Sequence, residues 1–329
     1  MGNVIGRRVL VSGMGGQLGS LVAAELEKEP WVGSIVGVDA DPPRRRLSRS
    51  SFHLIEPGDS ARTRDVIAAL DPHVLVHLAV WEPDARVNPT LAERHTREAA
   101  DSIFSAAREC PSLQHVVLRS GIEVYGRGGH RPDIPDETTP TAPTSQYGRM
   151  LVQVERSADD AFATTKADVT ALRLAPVIGP HVPSPLGRLL RLPFVPFNML
   201  KPPMFTVLHE ADAARAFVLA AQRTIGQPIN VVGDGEISGF SAVRRSRHIP
   251  LPLLGPEWAV TRRVAHLFGA PVPEHVREVL HDGRRATSER CEVRLGWRPE
   301  TATSDVIDSL FSWEGVVRVP PRRAWEQAS

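Results

Sequence analysis

The segment VLVSGMGGQLGS at residues 9–20 decides the fold of this chain. Its apolar start is typical of a buried strand, and glycines follow at positions 13, 16 and 19 before a helical pattern begins. Gly13 permits a tight turn, Gly16 lets the backbone approach a ligand, and Gly19 lets the helix pack closely on the strand. The first amide groups of a helix lack partners within the helix and attract anions. The segment therefore predicts a site for the pyrophosphate of a dinucleotide.

A carboxylate at the end of the second predicted strand supports this prediction. Asp39 lies about 20 residues beyond the last glycine, where dinucleotide-binding proteins hold the adenosine ribose. An acidic side chain there favours NAD, because it repels the 2′-phosphate of NADP. Arg44, Arg45 and Arg46 leave NADP as the alternative, since guanidinium groups bind phosphate. The predicted cofactor contacts in this half of the site are Gly13, Gly16, Gln17, Leu18, Gly19 and Asp39.

Apolar runs alternate with amphipathic stretches through the first half of the chain. We predict strands at 8–12, 34–39, 51–55, 73–79, 115–120 and 170–176. We predict helices at 17–28, 61–70, 89–108 and 146–164. Strands that are apolar without alternation are covered on both faces, as in a parallel sheet with crossover helices. The predicted fold is α/β, a Rossmann-type doubly wound parallel sheet with a smaller, mostly helical C-terminal substrate region.

The sequence pattern changes after about residue 180. Proline becomes frequent, and the regular alternation of strands with crossover helices stops. We therefore predict a dinucleotide-binding domain at 1–180 and a mainly substrate-binding region at 181–329. Within the latter, residues 206–235 return to the main sheet through a helix at 210–223 and a strand at 228–232. Residues 250–313 are predicted to be mostly helical.

Composition excludes several classes of protein. The 39 Lys and Arg residues balance 38 Asp and Glu residues, which leaves too little basic excess for a nucleic-acid-binding protein. Cys110 and Cys291 are too few for a disulfide framework and match no metal-ligand spacing. No apolar run reaches the roughly 20 residues of a transmembrane helix. We expect a cytoplasmic protein without a metal site.

Short motifs follow the predicted strands along most of the chain. They are GD at 58–59, HLA at 77–79, VYG at 124–126, YG at 147–148, LRLAP at 172–176, NVVG at 230–233 and LGW at 295–297. Together they resemble the extended short-chain dehydrogenase/reductase family of NAD-dependent epimerases and dehydratases. The resemblance implies cofactor contacts from Asp59, Leu78, Ala79 and Pro176, and a catalytic tyrosine at Tyr147.

The resemblance also implies a homodimer. Members of the family pair through two helices, which correspond here to 89–108 and 146–164. We predict that Val152, Val154 and Phe162 lie on the outer face of the second helix, where their exposure would favour association.

The chain departs from the family pattern where the catalytic groups stand. The family's Ser or Thr is replaced by Gly121, and Ser120 lies one residue earlier. The Lys four residues after the tyrosine is replaced by Leu151. Thr96 stands for a structural Asn, and Ala175 for an Asn that contacts nucleotide-sugar substrates. Of the family's catalytic set, only the tyrosine remains.

Tyr147 is the main catalytic candidate and Ser120 the second. A phenol with its ordinary pKa near 10 is a poor base at neutral pH, and a nearby cation lowers that pKa. Arg149 is two residues beyond Tyr147 and faces away from it on a helix. Ser120 is out of register on its strand, so its side chain is predicted on the opposite face. We therefore expect little epimerisation of UDP-galactose.

Three functions remain open from the sequence. The first is an NAD-dependent oxidoreductase or epimerase that uses Tyr147 on a small, apolar substrate. The apolar residues of 186–205 would line its pocket or, alternatively, form a core. Glu82 and Asp84 follow the fourth strand and belong either to that cleft or to a loop surface. The second function is a non-catalytic dinucleotide sensor or assembly protein, and the third is a non-redox lyase or cyclase.

Overall fold

The computed structural model describes the chain in eight segments. These are residues 6–84, 88–128, 132–179, 182–191, 194–198, 203–245, 249–253 and 272–310. In the described segments, no helix is long and apolar enough to cross a membrane.

Thirteen strands and ten α-helices are described. The strands are β1 (Arg7–Ser12), β2 (Val32–Asp39), β3 (Ser50–Leu54), β4 (Val74–His77), β5 (His115–Gly121), β6 (Asp168–Leu174), β7 (Val177–Ile178), β8 (Phe194–Asn198), β9 (Met204–Phe205), β10 (Leu208–His209), β11 (Ile229–Val231), β12 (Ile237–Ser238) and β13 (Ile249–Leu253). The helices are α1 (Gln17–Leu26), α2 (Ser60–Leu70), α3 (Pro89–Ala107), α4 (Gln146–Phe162), α5 (Pro185–Leu190), α6 (Glu210–Gln222), α7 (Gly239–Arg245), α8 (Glu274–Asp282), α9 (Glu289–Leu295) and α10 (Thr303–Ser309). A 3₁₀ helix at Ile122–Tyr125 follows β5.

Seven strands form one parallel sheet in the order β3-β2-β1-β4-β5-β6-β11. Val9, Leu10 and Val11 of β1 are fully buried, because helices cover both faces of the sheet. The order of connection reverses between β1 and β4, and the crevice at the carboxyl ends of these strands is where open α/β sheets bind ligands. The predicted doubly wound parallel sheet is confirmed.

The region after residue 180 differs in part from the sequence prediction. The predicted strand at 228–232 is β11, which pairs with β6 and extends the main sheet. The described remainder mixes short helices with two-stranded pairs, β7 with β10, β9 with β12, and β8 with β13. The strand β13 lies in the stretch predicted to be mostly helical, of which residues 254–271 are outside the described segments. The division of the chain at residue 180 stays a prediction.

The apolar residues assigned to a dimer interface are buried within a single chain. Val152, Val154 and Phe162 of α4 all pack into its own core, and the ring of Phe162 lies 5.7 Å from that of Phe104. The prediction that they face outward is wrong, because α4 turns its apolar side to the sheet and α3. The homodimer stays a prediction that rests on the family resemblance alone.

A buried polar network joins β5, β6, β11 and α4. The guanidinium of Arg173 donates to both carboxylate oxygens of Glu155, at 2.7 and 3.0 Å, and to the Tyr125 hydroxyl at 3.0 Å. The Ser120 hydroxyl donates to the same carboxylate at 2.5 Å, and Tyr125 donates to Asn230 at 2.7 Å. The Ser120 hydroxyl is thus held by the Glu155 carboxylate, while Ser120 also borders the cavity that contains Tyr147.

We expect Arg173→Met to lower the free energy of unfolding by about 3–5 kcal/mol, because it leaves the Glu155 carboxylate buried without its cation. Chemical denaturation measures the change. The double variant Arg173→Met, Glu155→Leu should recover most of the loss, since both charges are then removed. Lys28→Met, which breaks the solvent-exposed Lys28–Glu25 pair, is the matched control and should change stability by no more than about 1 kcal/mol. A small loss for Arg173→Met would contradict a structural role for this network.

Candidate functional site

The loop between β1 and α1 has the shape that its glycines predict. Gly13 has φ +80°. A Cβ there would lie 2.6 Å from the backbone nitrogen of Ala79, which follows the neighbouring strand β4. A Cβ on Gly19 would lie 1.9 Å from the Gly13 carbonyl oxygen, so the helix packs on the loop at backbone distance. A Cβ on Gly16 would meet only the Gly13 carbonyl oxygen, at 3.4 Å. Gly16 therefore faces open space.

The first turn of α1 points its amide groups into a cleft. Gly16 is the N-cap residue and supplies no side-chain hydrogen bond to the turn. Gly13, Gly16, Gln17, Leu18 and Gly19 line this cleft together. Uncapped amides at the start of a ten-residue helix form a cradle for an anion.

Asp39 lies between this cleft and a second, smaller cavity, and it lines both. Its Oδ2 accepts from the Gly15 amide at 2.8 Å, and its Oδ1 from the Asp41 amide at 3.2 Å. Burial raises the pKa of this carboxyl, and the backbone hydrogen bonds oppose the rise. The carboxylate thus organises the glycine loop and still borders space in which a ligand hydroxyl fits.

The smaller cavity has a largely apolar wall. Its lining includes Val38, Ile55, Pro57, Ala99 and Ile103. Asp59 is not among the residues that line it, since the carboxylate of Asp59 caps α2 by accepting from the Arg62 amide at 3.1 Å. A cofactor contact from Asp59 stays a prediction.

The arginines that favoured the NADP alternative differ in their placement. The Arg44 Nε donates to the Gly15 carbonyl oxygen at 3.3 Å, and the residue lines the cleft. Arg45 and Arg46 are exposed and line neither cavity. Of the three, Arg44 is the residue placed to meet a phosphate beside Asp39.

Tyr147 lies in the first turn of α4, beside the end of β5. Ser145 caps the helix by accepting from the Gly148 amide at 3.2 Å. A Cβ on Gly148 would lie 2.6 Å from the Glu123 carbonyl oxygen, so this glycine allows α4 to approach the 3₁₀ helix. The ring of Tyr147 is buried against that of His275, with centroids 4.6 Å apart.

The cavity that contains Tyr147 also contains a guanidinium that the sequence analysis missed. Arg119 lines this cavity, and its positive charge favours the phenolate form of Tyr147, which lowers the pKa of the hydroxyl. The same guanidinium donates to the Val80 carbonyl oxygen at 3.2 Å and lies 3.5 Å from the Glu82 carboxylate. Arg119 is two residues before Gly121 on β5, so strand alternation places both on one face. That spacing is the sequence signal by which Arg119 could have been found. Arg149, the arginine considered in the sequence analysis, is exposed and donates to the Thr144 carbonyl oxygen.

A carboxylate fills the space that Gly121 leaves. A Cβ on Gly121 would lie 2.3 Å from Glu123 Oε2 and 3.1 Å from Leu151 Cδ1. Burial raises the pKa of Glu123, although Arg284 and His275 oppose the rise. Arg284 in turn lies 2.5 Å from the Glu278 carboxylate. A serine at position 121 would therefore require the Glu123 side chain to move.

The environment of Tyr147 keeps its phenol protonated. Burial raises the pKa of this hydroxyl strongly, and Glu82 and Glu123 raise it further. The Arg119 guanidinium lowers it, but the balance stays far above the ordinary value. At neutral pH the group is a neutral phenol.

The cleft and the cavity that contains Tyr147 are neighbours that share part of their walls. Both are lined by Glu82, Arg119 and Val177. Leu78, Ala79, Asp84 and Arg188 border the cleft, and the Asp84 carboxylate lies 2.9 Å from the Arg188 guanidinium. Pro176 and Ala175 border the cavity. Glu82 and Asp84 thus belong to the cleft and not to a free loop surface.

Of the two interpretations of the apolar segment at 186–205, the structure supports the core. Leu186, Leu189, Leu190 and Phe205 are buried against α7, α8 and α10. The elements after β12 cover them, so these four residues do not form the wall of a pocket. Leu192, Met199 and Leu200 lie outside the described segments.

Comparison with known proteins gives a consistent set of matches. The model of the NAD dependent epimerase/dehydratase family matches residues 9–232. An uncharacterized protein of Mycobacterium tuberculosis is 30% identical over 334 residues, which cover 97% of this chain and 88% of that protein. Methionine adenosyltransferase 2 subunit beta of Bos taurus is 26% identical over 159 residues, covering 47% and 43% of the two chains.

A solved structure shares the fold. The UDP-glucose 4-epimerase of Brucella ovis, in complex with NAD, is similar with a TM-score of 0.72 at 18% identity. The match covers 92% of this chain and 96% of that one.

Proposed function

Because the chain belongs to the NAD dependent epimerase/dehydratase family, we propose that it is an NAD-dependent oxidoreductase or epimerase of a small molecule, with the Tyr147 hydroxyl as its acid/base group. One observation carries the proposal. The cleft at the uncapped start of α1 lies beside the cavity that contains Tyr147, and Glu82, Arg119 and Val177 border both. A dinucleotide bound in the cleft would extend toward the tyrosine.

The residues of the cleft fit NAD. The α1 amides at Gln17 and Leu18 suit a pyrophosphate, and a Cβ on Gly16 would occupy space otherwise open to the ligand. Asp39 borders both cavities and suits the adenosine ribose, and the apolar wall of the smaller cavity suits the adenine. When bound, NAD accepts or donates a hydride at the substrate carbon.

The protein's own residues would carry out the proton transfer. Tyr147, held neutral by burial, would donate a hydrogen bond to a substrate oxygen and release its proton to that oxygen when a carbonyl group is reduced. The wall of this cavity is mixed: Glu82, Glu123, Arg119 and His275 stand beside apolar residues such as Leu174 and Val279. We therefore propose a substrate with a hydroxyl or carbonyl oxygen at the reacting carbon and with both polar and apolar groups around it.

A turnover assay tests this function. The protein is stripped of bound nucleotide, NAD is added back, and hydroxylated and carbonyl substrates are screened by the absorbance of reduced nicotinamide and by product analysis. UDP-galactose belongs in the screen, with little turnover expected because Gly121 and Leu151 replace the family's catalytic groups. Turnover that depends on added NAD supports the proposal, and turnover that survives removal of the cofactor contradicts it.

We expect Asp39→Asn to move cofactor preference toward NADP. The asparagine keeps an oxygen that accepts from the Gly15 amide, but it removes the charge that repels a 2′-phosphate. Two like charges about 4 Å apart in water-like surroundings cost about 1 kcal/mol, which corresponds to roughly fivefold in relative affinity. Titration of NAD and NADP by calorimetry measures the ratio. Arg44→Gln should move the ratio of affinities toward NAD. Arg45→Gln, at an exposed position, is the control. An unchanged ratio in Asp39→Asn would contradict the assignment.

A non-catalytic role is the second candidate, and two observations favour it. Leu151 and Gly121 leave Tyr147 without the family's Lys and Ser or Thr, and one relative is named as a subunit of another enzyme. Under this alternative the protein binds NAD without turning it over in the screen described above. Affinity purification from cells that express the tagged chain then yields a stoichiometric partner.

A further inference from the structure

An imidazole and a carboxylate meet in the wall of the cavity that contains Tyr147. His275 comes from the first turn of α8, and Glu82 comes from the segment after β4. The His275 Nε2 lies 3.1 Å from the Glu82 Oε1, which is hydrogen-bond distance. The two residues are 193 positions apart in the chain, so no local pattern marks them as a pair.

The fold holds His275 in a fixed place. The residue is only 4% exposed, and its ring packs on that of Tyr147 with centroids 4.6 Å apart. The preceding residue, Glu274, accepts a hydrogen bond from the Gln146 amide at 3.1 Å. This bond ties the start of α8 to the start of α4. The imidazole is therefore kept beside the phenol and in the same cavity.

The carboxylate decides which nitrogen of the imidazole carries the proton. A carboxylate only accepts hydrogen bonds, so Nε2 of His275 donates to Glu82. The lone pair of the neutral ring is then on Nδ1. In the segments that the structure describes, no hydrogen bond of His275 Nδ1 is recorded. This nitrogen is therefore available to take up a proton.

Tyr147 does not supply a base to the cavity. Burial raises the pKa of its hydroxyl strongly, so at neutral pH the phenol is a proton donor. Oxidation of a substrate hydroxyl needs a group that accepts the proton. Imidazole is the side chain that ordinarily changes its charge near neutral pH.

From this geometry, we infer that His275, oriented by Glu82, is a second catalytic residue of the cavity and takes the proton when a substrate hydroxyl is oxidised. The substrate C–H bond breaks, and its electron pair leaves with the hydrogen as hydride to NAD. The electron pair of the O–H bond completes the carbonyl group, and the proton passes to His275 Nδ1. The Glu82 carboxylate then stabilises the imidazolium. The inference rests on the proposed function, which supplies NAD as the oxidant.

Other charged groups surround this pair. The Arg119 guanidinium of β5 lies 3.5 Å from the Glu82 carboxylate. Glu123 of the 3₁₀ helix lines the same cavity, and the positive charges of Arg284 and His275 lower its pKa, against the effect of burial. Among the residues that the structure describes, Glu82 is the carboxylate recorded in a hydrogen bond with His275. Glu123 is the competing base.

The first test follows the imidazole itself and needs no substrate. The chain contains 12 histidines, and the ring resonance that is missing from His275→Gln identifies His275. Its midpoint is followed against pH by NMR in the full chain, with and without saturating NAD. Glu82→Gln should lower the midpoint by about one pH unit or more, because an opposite charge in contact favours the imidazolium. Asp282→Asn, which removes an exposed carboxylate of the same helix beside His281, should leave it unchanged.

The second test is the pH profile of turnover, with a hydroxyl substrate found in the NAD-dependent screen. The kcat for oxidation should rise with pH through one midpoint, because the imidazole must be unprotonated to accept the proton. His275→Gln should lower kcat by about a hundred- to ten-thousand-fold and remove this rise. Glu82→Gln should move the midpoint of the profile down together with the midpoint of the NMR titration. Asp282→Asn should move neither midpoint.

Three results would overturn the inference. One is that no histidine midpoint falls in Glu82→Gln, which decides the question even if His275→Gln fails to fold. Another is a pH profile of the same shape in His275→Gln as in the parent protein. The third is loss of the pH dependence in Glu123→Gln instead, which would make Glu123 the base. Absence of NAD-dependent turnover with every substrate contradicts the proposed function and leaves the titration unaffected, so the two failures are distinct.

Discussion

Gly16→Val is expected to abolish NAD binding while the chain stays folded. A Cβ at this position meets only the Gly13 carbonyl oxygen, at 3.4 Å, so the side chain enters the open cleft rather than the core. There it holds the pyrophosphate away from the α1 amides. Hydrogen bonds to charged groups contribute about 1.5–3 kcal/mol each, so losing two weakens binding by more than about 100-fold. Calorimetric titration with NAD measures the loss.

Substitutions within the same loop separate binding from folding. Gly16→Ala projects less into the cleft and should weaken NAD binding less than Gly16→Val. Gly19→Ala should instead lower the thermal midpoint, because its Cβ would lie 1.9 Å from the Gly13 carbonyl oxygen. Unchanged NAD affinity in Gly16→Val would place the cofactor elsewhere.

Tyr147→Phe is expected to lower kcat by about a hundred- to ten-thousand-fold, the usual contribution of a positioned acid/base group. The phenylalanine keeps the ring packed on His275 and removes only the hydroxyl. NAD affinity should change little, because the α1 amides and Asp39 are intact. The measurement is steady-state kinetics with a substrate identified by the NAD-dependent screen.

Arg149→Gln is the control for this substitution, since Arg149 lies on the same helix and is exposed. It should leave kcat unchanged. If Tyr147→Phe retains full turnover, another group in the cavity carries the proton, and Tyr147 is part of the scaffold only.

Local sequence patterns determined the parallel sheet and the dinucleotide end of the site. The strand at 8–12, the glycines and Asp39 lie within about 40 residues of each other, and their spacing alone dictates a strand, a turn, a helix and a second strand. The structure differs there only at element ends, such as α1, which ends at Leu26 rather than at Lys28. Such patterns suffice because the geometry they encode is set by neighbours in sequence.

The sequence predicted less well which part of the structure covers the apolar side of a helix. Val152, Val154 and Phe162 were assigned to an outer face, yet all three are buried. An apolar stripe shows that a helix has a covered side, but the sequence does not say whether the chain's own sheet or a second copy covers it. Leu186 and Leu190 present the same ambiguity between a pocket wall and a core, and helices from the end of the chain decided it.

The catalytic end of the site was decided by the tertiary structure alone. Arg119 comes from β5, Glu82 from the segment after β4, and His275 from α8, more than 150 residues away from either. Their meeting in one cavity with Tyr147 depends on which strands are neighbours in the sheet and on where the C-terminal helix docks. The sequence by itself predicted a dinucleotide cleft and a family tyrosine at Tyr147, and it showed that the family's lysine and serine are replaced. Only the folded chain brings a guanidinium into the cavity with Tyr147 and a carboxylate beside Gly121, because contacts between residues far apart in sequence leave no local sequence pattern.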